Sequence, residues 1–193
     1  PGARHPAESA VCGCDVQVLP VIGAGASLLS KGMLNAAKRH AEKMLEALNQ
    51  LDPTREAAIV GLEPPEIYTL KHDYLDLIPA RKEEIASRAA RTWLLDEYLL
   101  RSDAFVALLG DKKADQGKVL FHPHCHQRAE GISSDGISSG ANATVELLRA
   151  CGYDVVLSDA GCCGMAGTFG YETEHYDLSM KIGGVKFFPS IAN

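Results

Sequence analysis

Asp154-Val155-Val156-Leu157-Ser158-Asp159-Ala160-Gly161-Cys162-Cys163-Gly164 is the stretch on which the fold turns. A four-residue apolar run leads into a loop of glycine and cysteine. Such a run, bounded by turn residues, reads as a buried strand. A second run, Lys118-Val119-Leu120-Phe121, leads in the same way into His122-Pro123-His124-Cys125-His126. In an α/β chain the residues just past a strand's carboxyl end face the ligand crevice. Three cysteines and up to three histidines are therefore expected at one edge of one sheet. Sulfur and imidazole are the donors that hold zinc, copper and iron–sulfur clusters.

The chain repeats itself. Cys12-Gly13-Cys14-Asp15-Val16-Gln17-Val18-Leu19 lies over Cys151-Gly152-Tyr153-Asp154-Val155-Val156-Leu157-Ser158 at a constant offset of 139. Carried on without gaps, Gly23-Ala24-Gly25 falls over Cys162-Cys163-Gly164. One unit used twice is the simplest reading. The first copy keeps the glycine and lacks both sulfurs.

Strands alternating with helices imply α/β architecture, here two pseudo-repeated halves, each a small parallel sheet with flanking helices. Val16 to Leu19 reads as a strand. A long helix follows the loop Val21 to Ser27 and runs to about Asn49, with Leu34, Ala37, Ala41, Leu45 and Leu48 at helical spacing and Ser27 or Ser30 as its cap. Asp52-Pro53 breaks it. Ala57 to Val60 is the next strand, and Pro65 opens a helix over Glu66 to Leu77. Arg81 to Leu100 reads as one helix, with Ile85, Ala89 and Trp93 on a stripe. Gly110 to Gly117 is the boundary between residues 1–112 and 113–193, the two halves of one compact unit. In the second half the elements are the strand Val119 to Phe121, a polar loop Gly131 to Gly140, the helix Ala141 to Ala150, the strand Asp154 to Leu157 and a helix from Tyr171 to Ile182.

The bulk properties narrow the function. A formal net charge of -6 with no arginine-rich run argues against a nucleic-acid partner. No apolar stretch approaches the roughly 20 residues of a transmembrane helix, and no signal-peptide pattern opens the chain. The start, Pro1-Gly2-Ala3-Arg4, lacks an initiator Met and reads as a fragment or a processed piece. Six cysteines in a chain of this size point to reduced thiols in a cytoplasmic setting, used for metal or redox chemistry, over a disulfide framework.

Cys125, Cys162 and Cys163 are the first candidates for ligands, with small buried cysteines in turns as the plain alternative. Gly161, Gly164 and Gly167 would let the backbone come close to a bulky group. His122, His124 and His126 alternate, so an extended chain would put them on one face, as ligands or as hydrogen-bond donors to sulfur. Pro123 stiffens the approach. Cys12, Cys14 and Cys151 fall at helix-to-strand turns away from the site. His40, His72 and His175 read as surface or helix-face residues. Glu63 and Glu66 either reach the crevice or cap a helix, capping being favoured for Glu66 by its place in the first turn.

The runs His122 to Gln127, Asp159 to Gly167 and Phe169-Gly170-Tyr171-Glu172 together resemble the cysteine-rich CCG domain. That domain occurs in heterodisulfide reductase, in the iron–sulfur subunit of glycolate oxidase and in large FAD-linked oxidases of the D-lactate or D-2-hydroxyglutarate dehydrogenase type. Leu29-Ser30-Lys31-Gly32 and Gly61-Leu62-Glu63-Pro64 look like the last group. The resemblance covers nearly the whole chain and implies that Cys125, Cys162 and Cys163 ligate an iron–sulfur cluster, of four-iron type. It does not carry onto the first half. There Gly23-Ala24-Gly25 stands where the family has Cys-Cys-Gly, and Pro65 or Glu66 where it often has cysteine. A further family cysteine lies past the segment matching Phe188-Pro189, and the family's opening cysteine segment of the first half is missing as well, so the chain reads as cut at both ends.

The expected function is an electron-transfer module of a flavin-linked 2-hydroxy-acid oxidoreductase, cytoplasmic or peripheral to the inner face of the membrane. FAD would sit on another domain or subunit, and an acceptor would take the electrons. No FAD-binding motif is visible, so the chain alone should not turn over a hydroxy acid. Three cysteines with one histidine also suit tetrahedral zinc, which gives the alternative of a non-redox scaffold or docking domain. A hydrolase using His122 and His124 as metal ligands ranks third, since no acid or base supports it.

Overall fold

The computed structural model describes residues 13–21, 23–110 and 115–192. The chain divides into two units, Pro1–Gly110 and Asp111–Asn193. In the first unit the elements are α1 (Ala26–Ser30), α2 (Leu34–Leu51), β1 (Ile59–Gly61), α3 (Pro64–Tyr68), a π-helical turn (Thr69–Asp73), α4 (Tyr74–Leu77), α5 (Lys82–Ala89), β2 (Thr92–Leu94), α6 (Leu95–Leu100) and α7 (Asp103–Leu109). The second has β3 (Lys118–Phe121), α8 (Cys125–Ala129), α9 (Gly140–Ala150), β4 (Asp154–Leu157), α10 (Tyr176–Val185) and α11 (Phe187–Ala192).

Both sheets are parallel pairs. Ile59 stands opposite Thr92 and Gly61 opposite Leu94; Lys118 stands opposite Asp154 and Phe121 opposite Leu157. Helices connect the strands of each pair, as parallel pairing requires. The architecture mixes helix and strand, consistent with α/β, and among the described residues each sheet has two strands.

The core of the first unit follows from α2. Its stripe Ala37, Ala41, Leu45 and Leu48 is buried, while Leu34, in the first turn, is exposed. Ala41, Leu45 and Leu48 of that stripe pack with Met44, Ile59, Leu70, Tyr74, Ile78 and Ile85. Pro64 and Pro65 occupy the first turn of α3, where a missing N–H costs nothing.

Several elements differ from the sequence reading. The expected helix over Arg81 to Leu100 is broken by β2, so Trp93 lies in a strand and not on a helical stripe. Strand β1 needs a hydrogen-bonding neighbour, and the Arg91 carbonyl with β2 supplies it. β1 itself lies further along the chain than Ala57 to Val60. The strand Val16 to Leu19 reduces to a single bridge at Gln17. The helix from Ser27 to Asn49 is interrupted by a turn at Lys31-Gly32. Neither serine caps it: Gly25 is the N-cap of α1, in a left-handed conformation (φ 93°) with no side-chain cap. The helix from Tyr171 becomes two 3-10 turns before α10. Cys12, paired with Cys151 in the repeat, lies outside the described residues.

The second unit has a thin core of small residues, among them Ala141, Ala143, Val145, Val155 and Ala160. Leu120, Val156 and Leu157 are each more than two-fifths exposed, although their runs read as buried strands. A two-stranded sheet within this unit has too few elements to cover both of its faces.

Candidate functional site

The register of β3 on β4 fixes the site's location. Phe121 pairs with Leu157, so the segments starting at His122 and Ser158 leave the sheet side by side. Pro123 is fully buried, which costs no hydrogen bond because proline lacks an N–H.

The extended His-x-His-x-His arrangement is not what forms. His124 is the N-cap of α8, and helix begins at Cys125. The His124 ring accepts from the His126 amide at 3.2 Å, and the two rings lie 5.2 Å apart. Gln127 completes the turn: its side-chain oxygen accepts from the His124 amide at 3.1 Å. This is the reciprocal cap of a helix start, with imidazole in place of a hydroxyl. Sequence reasoning overlooked it, although a cap residue followed three positions on by Gln is its signature.

His122 is held apart from that turn. Its Nδ1 lies 3.2 Å from Ser158 Oγ, and its ring packs at 4.4 Å on Phe187. Burial lowers its pKa below the ordinary 6.5, and the charge of Arg128 adds to the effect. Arg128 donates to the Ser158 carbonyl at 2.7 Å, joining α8 to the end of β4. Ser158, Arg128 and Phe187 carried no signal of a site in the sequence.

Cys125 and Cys162 are exposed, Cys163 is half-buried, and all three are free thiols. The Gly164 amide donates to Cys162 Sγ at 3.3 Å. Gly164 takes φ 95°, and a Cβ there would collide with the Ser179 carbonyl of α10. Ser179 Oγ donates to the Gly164 carbonyl at 2.9 Å. This glycine thus fits loop to helix. Gly161 faces open space, and Gly167 is left-handed at φ 66°. Among the described residues no three His, Cys, Asp or Glu side chains converge as ion ligands. Three thiols lie just past the ends of the two paired strands, Cys125 at the start of α8 and Cys162 and Cys163 in the loop after β4, with the Cys162 sulfur accepting a backbone N–H.

The equivalent loop of the first unit is closed by a carboxylate. Glu66 does not cap its own helix. Its Oε2 accepts from the amides of Ala24, of Gly25 at 2.8 Å and of Ala26 at 3.4 Å. Tyr74 donates to the Ala24 carbonyl at 2.7 Å, and burial followed by the Glu66 charge raises its pKa well above the ordinary range. His40 is no simple surface residue, since its Nε2 sits 3.0 Å from the Gly23 carbonyl. His175 stacks on Phe169 at 4.1 Å, while His72 is exposed.

Comparison with known proteins places the chain beside dehydrogenases. It is 26% identical over 167 residues to D-2-hydroxyglutarate dehydrogenase of Haemophilus influenzae, covering 86% of this chain and 15% of the relative. It is 25% identical over 165 residues to the Escherichia coli protein of the same name, again over 86% and 15%. It is 24% identical over 196 aligned positions to one subunit of the anaerobic glycerol-3-phosphate dehydrogenase of Escherichia coli, covering 89% of this chain and 43% of that subunit. The chain therefore spans less than half the length of these relatives. No family profile and no solved structure matches it.

Proposed function

We propose that this chain is the iron–sulfur electron-transfer module of a flavin-linked oxidoreductase that oxidises a 2-hydroxy acid. The observation that carries the reading is the placement of three free thiols just past the ends of two paired parallel strands, Cys125 at the start of α8 and Cys162 and Cys163 in the loop after β4. The relatives' names add the reaction class, since both describe dehydrogenation of a hydroxyl-bearing acid or phosphate ester.

Cys125, Cys162 and Cys163 would hold the cluster. A four-iron cluster takes about four ligands, so an imidazole or a further thiolate completes the set. When bound, the cluster supplies one-electron transfer. The residues of the chain set its surroundings. The Gly164 amide donates a hydrogen bond to Cys162 Sγ and so orients that sulfur. His124 and His126 stand on either side of Cys125 in the chain, where they bring imidazole donors or charge close to sulfur. His122 is biased to the neutral form by burial and Arg128, which suits it to hydrogen-bond with Ser158 or to coordinate. The hydroxy acid and FAD would belong to other parts of the parent enzyme, so the isolated chain has no dehydrogenase activity even with added FAD.

The donor count favours one second reading. Three thiolates and a neutral imidazole form a closed tetrahedral zinc site, which would make the domain a scaffold or docking surface. The deciding experiment is anaerobic purification followed by measurement of iron, sulfide and zinc per chain. Iron and sulfide in similar amounts, with a brown chromophore lost in Cys162→Ser, are expected. Stoichiometric zinc without colour would overturn the electron-transfer reading.

A further inference from the structure

The first unit holds a cluster of arginines that the sulfur chemistry does not use. Arg88 of α5 and Arg91, in the turn just beyond its end, lie close enough for their charges to act on one another. The Arg88 side chain is fully buried, at 0% exposure. Its Nη2 donates to Asn49 Oδ1 at 2.5 Å, and its Nε lies 3.6 Å from Glu84 Oε1. Arg88 Nε and Nη1 are buried without a hydrogen-bond partner. Arg91 commits Nη1 to Asp52 Oδ2 at 2.7 Å and to the Ala57 carbonyl. Its Nε and Nη2 are buried and unmatched.

Arg91 Nε and Nη2 form one edge of a guanidinium. Their two parallel N–H groups match two oxygens of a single oxyanion. Nearby, Arg81 Nε pairs with Glu84 Oε2 at 2.8 Å and Arg55 Nη2 lies 3.9 Å from Glu84 Oε1. Four guanidiniums thus face two carboxylates. Both carboxylates are already occupied: Glu84 also accepts from Asn49 at 3.0 Å, and Asp52 accepts from the Glu56 amide at 3.1 Å and Thr54 at 3.3 Å. Burial lowers the pKa of Arg88, and the charges of Arg91 and Arg55 push the same way against Glu84 and Asp52. Unmatched buried donors beside like charges are costly unless an acceptor meets them.

We propose that Arg88 and Arg91, with Arg55 and Arg81 at the rim, bind a small oxyanion of the phosphate class, two of whose oxygens take the Nε and Nη2 of Arg91. The site lies wholly in the first unit and does not depend on the reading of the sulfur loops.

The test is a titration of the full chain with inorganic phosphate, followed by thermal denaturation and calorimetry, with ionic strength held constant by NaCl. The melting temperature should rise with the logarithm of phosphate concentration above the dissociation constant. Arg91→Lys keeps the charge but loses the fork, and should weaken binding about tenfold or more. Arg55→Asn removes a rim charge at a position already left-handed (φ 59°), which asparagine tolerates, and should weaken binding several-fold. It keeps the test open if Arg91→Lys does not fold. Methyl phosphate binding more tightly than inorganic phosphate would assign the site to a phosphate ester; the reverse would assign it to the free ion. A shift equal to that from NaCl alone, or binding unchanged in Arg55→Asn, would overturn the proposal.

Discussion

The loops Gly23-Ala24-Gly25 and Cys162-Cys163-Gly164 are 139 residues apart in the repeat and share more than their alignment. Gly25 and Gly164 take nearly the same left-handed φ, 93° and 95°. Each glycine packs on the equivalent helix position, since a Cβ at Gly25 would meet His40, one at Gly164 would meet Ser179, and these too are 139 apart. Both of those helix residues also hydrogen-bond a carbonyl of their loop. The difference lies in what the inward amides meet. In the first loop they meet the Glu66 carboxylate; in the second, the sulfur of Cys162. Amides turned into a loop need an acceptor. The loop without cysteines draws it from a helix of its own unit, while the loop with cysteines carries it itself.

The glycines give the sharpest way to break this comparison. Gly164→Ala puts a Cβ into the Ser179 carbonyl on a left-handed backbone, and should cost about 3 kcal/mol or more. Gly25→Ala meets only the His40 ring edge at 3.1 Å and should cost about 1–2 kcal/mol. Equal losses in chemical denaturation would show that the two glycines do not differ in how tightly they pack.

Next come the acceptors. Glu66→Ala strands the amides of Ala24 and Gly25 and should destabilise the chain by about 1–3 kcal/mol, with Glu66→Gln less affected. Cys162→Ala in metal-free protein removes an exposed side chain and should stay within about 0.5 kcal/mol. A large loss from Cys162→Ala in metal-free protein would erase the contrast.

Tyr74→Phe should cost about 1 kcal/mol, because the Ala24 carbonyl loses its donor. It should also change the alkaline limb. The folded tyrosine's pKa lies above its ordinary 10.0, so the unfolded chain ionises first. The associated stability is present below pH 10.0 and is lost as the pH climbs beyond it. A pH series of urea midpoints should show this loss in the parent and not in Tyr74→Phe. Had Tyr74 no tie to the loop, the two curves would coincide.

The smallest effect belongs to His122. Its folded pKa lies below 6.5, so the unfolded chain takes up the proton first as the pH falls. Stability should therefore decline on acidification through and below 6.5, and His122→Gln should flatten that slope. An unchanged slope would show that His122 is not held neutral by burial and Arg128.

Local pattern made much of this legible. Strand β4 follows from Asp154-Val155-Val156-Leu157, α9 forms where a helix over Ala141 to Ala150 is expected, and the α2 stripe from Ala37 to Leu48 is buried as its periodicity requires. The placing of Cys125, Cys162 and Cys163 just past β3 and β4 was legible because both apolar runs end immediately before those segments. Trp93 was misread because its helical spacing from Ile85 and Ala89 is coincidental; pairing with β1, distant in sequence, decided that segment. The histidines were misread because a cap competes with extension, and a Gln three residues on favours the cap.

The sequence by itself determined the repeat, the left-turning glycines and the placing of three sulfurs after two strands, because composition and short-range sterics fix these. Only the tertiary structure decided that Glu66 closes the first loop, that Ser158 and Phe187 frame His122, and that Arg88 and Arg91 share a buried cluster. Those contacts join residues far apart in the chain or depend on burial, and no local pattern specifies the partner of a side chain across the fold.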